Sequence, residues 1–151
     1  MTRAIISFDT ELSAGLYQRG ADARANFESS ILGRCRDGDY GVHFQMTMLE
    51  RHGLTGVYFV DPMPALVYGP AIIDDIVQPI VARGHEVQLH IHTEWLAFAR
   101  FNPVGRLTGR NIGDFPYAAQ KKLIALARDM LVGAGAPPAA SALLSGLVVK
   151  A

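Results

Sequence analysis

Cysteine is almost missing from this chain: Cys35 is the only one in 151 residues. A single thiol excludes an intrachain disulfide and a thiolate metal cluster, and it is compatible with a reducing compartment. Net charge is missing as well. Fourteen Lys and Arg side chains cancel fourteen Asp and Glu, which removes the long-range field that non-specific nucleic-acid or anionic-membrane binding relies on. No nucleic-acid partner is expected, and a neutral or weakly charged substrate fits better. Long apolar runs are also lacking. The run over 4–8 meets Asp9 too soon for a secretory signal or a membrane span. The stretch over 134–149 carries two prolines and two serines, which suit a spanning helix poorly. The expectation is a cytoplasmic protein without a membrane span. Gly38-Asp39-Tyr40-Gly41 has no phosphate-loop lysine and no strand before it, so nucleotide binding is not indicated.

Half of the residues are hydrophobic, enough for one domain with a real core. Residues 4–8 read as a short first strand that stops at acids. The Gly-, Ser-, Arg- and Asp-rich stretch over 13–39 has weak periodicity and reads as a long loop with room for one short helix. Val42, Met46 and Leu49 predict a helix over 42–52, capped by Gly53. Residues 55–60, β-branched and aromatic, predict a second strand ended by Asp61-Pro62. Helical spacing resumes over 70–83 through Ile73, Ile76, Val77, Ile80 and Val81, with a kink expected at Pro79. Gly84 stops it and 86–90 forms a third strand. A last helix over 117–132 presents Leu123, Ala127 and Met130, with Gly133 as cap. Alternating strands and helices predict an α/β fold with parallel strands.

The chemistry-bearing residues gather at two of the predicted strand ends. Ser7-Phe8-Asp9-Thr10-Glu11 ends the first strand, and Gly84-His85-Glu86-Val87-Gln88-Leu89-His90-Ile91-His92-Thr93-Glu94-Trp95 spans the third. Parallel strands aim their C-terminal ends at one face, so the two clusters can share a site. Asp9 and Glu11 share a side if the chain stays extended. The plainer alternative is that Asp9 caps a turn and Glu11 is solvated. His90 and His92 share a side of a continuing strand, whereas His90 and Glu94 meet if the chain turns helical. Either geometry supplies two ligands, and a carboxylate from the first strand makes a three-ligand site with open positions, as a catalytic zinc needs. His85 precedes the strand, which favours a turn or packing role. Trp95 and Phe98 can wall a sugar ring or serve as core, the commoner use of such a stretch. His43 and His52 on the first helix have exposed or capping roles by default.

These residues resemble the polysaccharide deacetylase family, the NodB-homology domain of carbohydrate esterase family 4. Ser7-Phe8-Asp9-Thr10-Glu11 is similar to its Thr-Phe-Asp-Asp motif, residues 55–60 to its Ala-Thr-Phe-Phe-Val strand, and residues 84–90 to its Gly-His-Glu-Ile-x-x-His segment. Phe-Asp-Thr-Glu and Leu-His-x-His-x-x-Trp look closest to a branch linked to lipopolysaccharide biosynthesis. The resemblance covers about residues 3–130 and implies a partial deformed (β/α) barrel of parallel strands. It also implies a divalent metal, often zinc, that assists removal of an acetyl group from an N-acetylated sugar or polysaccharide. Asp9 is then the general base, and Glu11 substitutes for the family's second aspartate, which is Thr10 here. His90 matches the first histidine of the family's His-x-x-x-His pair. Glu94 occupies the second position, with His92 as its rival, and Trp95 is a candidate for substrate contact.

The family's later motifs, an Arg-rich Phe-Arg-x-Gly strand and the groups that supply the acid, have no counterpart here. Residues 1–132 therefore read as the N-terminal portion of such a domain, and 133–151 as an atypical Ala-, Gly- and Pro-rich tail. The expectation is a truncated form with weak or absent deacetylase activity and retained metal binding. A catalytically inert sugar-binding relative is the alternative. A barrel metallohydrolase of the amidohydrolase type, suggested by His90-Ile91-His92, usually carries that motif on the first strand, where this chain has acids.

Overall fold

The computed structural model describes residues 4–138. Beyond Pro138, the tail expected over 133–151 lies outside the described residues. The architecture is mixed α/β: three parallel strands and six helices. In chain order the elements are β1 (Ser7–Thr10), α1 (Ala14–Gln18), α2 (Ala23–Ser30), β2 (Arg34–Cys35), β3 (Gly38–Asp39), α3 (Val42–Arg51) and β4 (Val57–Val60). They continue with α4 (Ala65–Tyr68), α5 (Ala71–Ala82), β5 (Glu86–Leu89), two 3-10 turns (Thr93–Ala97 and Ile112–Asp114) and α6 (Tyr117–Gly133).

The sheet order is β1-β4-β5, parallel throughout. Among the described residues it is open and does not close into a barrel. Thr10, Val60 and Leu89 stand side by side in register. Two more ladder bonds, Asp61 N–H to the Thr10 carbonyl at 3.1 Å and His90 N–H to the Val60 carbonyl at 3.0 Å, carry that alignment one residue further. Glu11, Asp61 and His90 therefore leave the three strand ends together.

Strand alternation divides the sheet into two unlike faces. Tyr58, Val60, Val87 and Leu89 belong to the buried core, with Phe8 stacked on Tyr58 at a centroid distance of 5.1 Å. Ile72, Ile73, Ile76, Val77 and Ile80 of α5 complete that core. Each such side chain contributes about 1.5–3 kcal/mol by leaving water. The other face carries exposed Asp9 and Glu86 and half-buried Val57 and Phe59.

Several boundaries differ from the sequence reading. The first strand begins at Ser7 rather than residue 4, because β4 offers partners only from Val57 onward, and Ile5 is left 80% exposed. The stretch over 13–39 contains α1, α2 and the β2–β3 hairpin. Ser13 and Asp22 cap the two helices through bonds to the Leu16 and Ala25 amides. Hydrophobic periodicity misses α2 because its buried position is polar: Asn26 donates to the Ser13 carbonyl and the Tyr68 hydroxyl and accepts from the Ser13 amide. At the end of the hairpin Gly41 lies against the chain so closely that a Cβ there would stand 2.0 Å from the Ile31 carbonyl oxygen. α5 continues through Pro79. On α6 the buried face runs Ala119, Leu123, Ala127 and Leu131, with Met130 at its margin, and the left-handed turn falls at Gly135 rather than Gly133.

His85 sits at the far end of β5 from the histidine pair, and it is structural. Its Nδ1 accepts the Gly56 amide at 3.0 Å, so the proton is on Nε2, which donates to Glu50 Oε1 at 3.2 Å. Arg83 grips the same carboxylate with two bonds of 2.7 Å, joining α5 to α3. The Arg83 guanidinium, helped by His85 and against the opposing effect of desolvation, holds the Glu50 carboxyl at about 2 against an ordinary 4.5. An acid lowered in the folded state stabilises the fold above its unfolded value, and that contribution fades as pH falls from 4.5 toward 2. Glu50→Gln is expected to reduce the steepness of acid unfolding in that window, read by urea titrations at stepped pH. An unchanged slope would count against the network.

Candidate metal centre

Three donor atoms converge where β1 and β5 end. Glu11 Oε2 lies 2.5 Å from His92 Nε2 and 3.3 Å from His90 Nε2, and the two imidazole nitrogens are 2.9 Å apart. Glu11, His90 and His92 form a group capable of holding a metal ion. Their side chains are 41%, 30% and 35% exposed, which leaves the cluster open to solvent and to a further ligand.

The local backbone explains which histidine joins His90. After Leu89 the chain remains extended through His92, with φ −109° and ψ 108°, before the 3-10 turn begins at Thr93. Residues two apart on an extended chain point the same way, so His90 and His92 meet, while Ile91 packs on the core. Glu94 lies in the first turn of the 3-10 segment and is not one of the three converged donors. It helps to line a cleft of about 560 Å³ together with Gln18, Phe98, Thr108 and Arg110. That cleft is built from residues just past the ligands: Ala14 and Gly15 follow Glu11, and Glu94 follows His92.

Electrostatics bind the three donors into one unit. Hydrogen bonding to His90 and then to His92 lowers the Glu11 carboxyl to about 2, against the opposing effect of burial. Glu11 in turn raises the His92 imidazole above its ordinary value. Donors bound tetrahedrally at the usual 2.0–2.2 Å stand roughly 3.3 Å apart, so opening the cluster by less than about 1 Å admits an ion. One carboxylate oxygen and two neutral imidazoles also form a donor set suited to zinc and neighbouring divalent metals.

Asp9 is exposed on β1, one residue before the end of that strand, and its side chain makes no hydrogen bond or ion pair with the described residues. Trp95 is fully buried, and Tyr17, Tyr68 and Phe98 surround it at centroid distances of 5.8 to 6.3 Å. It therefore has no face for a substrate, and Phe98 is the aromatic side chain that reaches the cleft.

One residue near the centre was not singled out as a site residue from sequence. Asp61, at the end of the middle strand, is completely buried, and its Oδ1 accepts the Met63 amide at 3.1 Å and the His92 amide at 3.3 Å. Burial pushes its carboxyl up to about 7, with those two amides opposing the shift. The available signal was positional: Asp61 follows the second strand as Glu11 and His90 follow the first and third. Comparison of the chain with protein-family models, with curated proteins and with solved structures returned no match.

Proposed function

We propose that this protein is a metal-dependent hydrolase of the polysaccharide deacetylase type, removing N-acetyl groups from a sugar or polysaccharide. The observation that carries the reading is the convergence of Glu11, His90 and His92 on one point at the C-terminal ends of parallel strands. The adjoining cleft supports it, because its volume suits a sugar-sized ligand and its polar lining offers both donors and acceptors. In this reading the described chain supplies part of a deformed barrel of the NodB type.

A divalent cation on these three residues, zinc by the character of the donors, would polarise the amide carbonyl and acidify water. The remaining work falls to the chain. Glu11 and the two histidines hold the donor geometry. Asp9, an exposed carboxylate two residues before Glu11, takes the proton released as water attacks. Gln18, Glu94 and Arg110 orient the sugar through its polar groups, with Phe98 against its apolar side.

The test is acetate release from N-acetylglucosamine oligomers by the purified chain with added zinc or cobalt. Slow, cation-dependent release that disappears in Glu11→Gln is expected. A protein that binds the cation and the sugar yet releases no acetate would sink the deacetylase reading and favour an inert sugar-binding protein.

A further inference from the structure

Asp61 occupies a costly position without an evident structural reward. It is 0% exposed, and among the described residues no cation is paired with it and its buried Oδ2 has no hydrogen-bond partner. Burying a carboxylate in this way disfavours the fold unless the group does something that an apolar residue cannot. Its two hydrogen bonds show what that is. One amide belongs to Met63, two residues ahead, and closes a local turn after β4. The other belongs to His92 and crosses to the continuation of β5.

The His92 amide needs such a partner. The parallel ladder between β4 and β5 ends with the His90 amide on the Val60 carbonyl, so among the described residues no strand holds the chain beyond Ile91 extended. Had it turned helical after Leu89, His92 would have swung away from His90, since residues two apart do not share a helix face. We infer that Asp61 is a positioning residue: by accepting the His92 amide it keeps residues 90–92 extended and aims the His92 imidazole at Glu11 and His90. The inference rests on the reading of those three residues as a metal centre. It adds that the middle strand, which supplies no donor to the cluster, sets the geometry of one.

Cobalt titration followed by visible spectroscopy tests this, with wild type, Asp61→Ala and Asp61→Asn compared and folding checked by circular dichroism. Asn retains a side-chain oxygen for the His92 amide while Ala does not. Asp61→Ala is expected to bind cobalt about 10–100-fold more weakly, the usual loss for an outer-shell partner, with altered ligand-field bands. Asp61→Asn is expected to retain both affinity and spectrum. Wild-type behaviour in Asp61→Ala, or equal loss in both variants, would overturn the hydrogen-bond role.

Amide hydrogen exchange at His92 separates this inference from the metal reading and needs no variant to fold. Slow exchange at His92 in the wild-type protein without metal supports the bond, and fast exchange overturns it. If wild type binds no cobalt, the metal reading fails, and protection at His92 still decides the positioning role.

Discussion

Replacing Glu11 with Gln or His90 with Ala is expected to weaken zinc or cobalt binding by more than roughly 100-fold, since losing even an outer-shell partner costs 10–100-fold. The reason is geometric. The cluster has three converged donors, so each substitution leaves two, too few to hold an ion against its water shell. Glu94→Gln serves as the contrast, because Glu94 lines the cleft and is not one of the three, and it is expected to leave affinity near wild type. Competition with a chromophoric chelator measures all three. Retained affinity in His90→Ala, or a large loss in Glu94→Gln, would show that a different set of residues binds. Binding should also weaken as pH falls, because both imidazoles must be neutral to ligate and Glu11 holds the proton on His92 above its ordinary value.

Trp95→Ala is expected to cost about 3–5 kcal/mol, the range for emptying a large aromatic site. Trp95 is fully enclosed, so the cavity cannot be relieved by solvent. Its neighbours give the substitution a second effect. Tyr17 lies on α1 after β1, Tyr68 ends α4 after β4, and Phe98 closes the 3-10 turn after β5. Trp95 thus ties together the segments that follow all three strand ends, and the cation site stands on those ends. Weaker cobalt binding should accompany the loss of stability. Phe98→Ala, at a half-buried residue facing the cleft, should cost less. Guanidinium unfolding measures both, and a loss of only ~1 kcal/mol for Trp95→Ala, an average substitution, would show that the core repacks around the gap.

Much of this architecture was legible before any coordinates. The helix at Val42, Met46 and Leu49 and the apolar face of α5 follow from spacing, because each buries one continuous stripe of aliphatic side chains. The segment carrying α1, α2 and the hairpin was not legible, since it is held by the polar Asn26 and by serine and aspartate caps rather than by an apolar stripe. At the site, sequence narrowed the histidine partner to His92 or Glu94 but could not choose between them. The choice depends on whether the chain stays extended after Leu89.

Sequence by itself determined the kinds of group this protein carries at its strand ends, an acid after the first and imidazoles after the third, because short buried strands are recognisable from their side chains alone. Tertiary structure decided which of those groups meet. Register brings Glu11, Asp61 and His90 to one level, and a hydrogen bond from the His92 amide to a buried carboxylate on another strand accompanies the extended backbone there. Such a contact joins segments far apart in the chain, and no local preference of the residues around His92 encodes it.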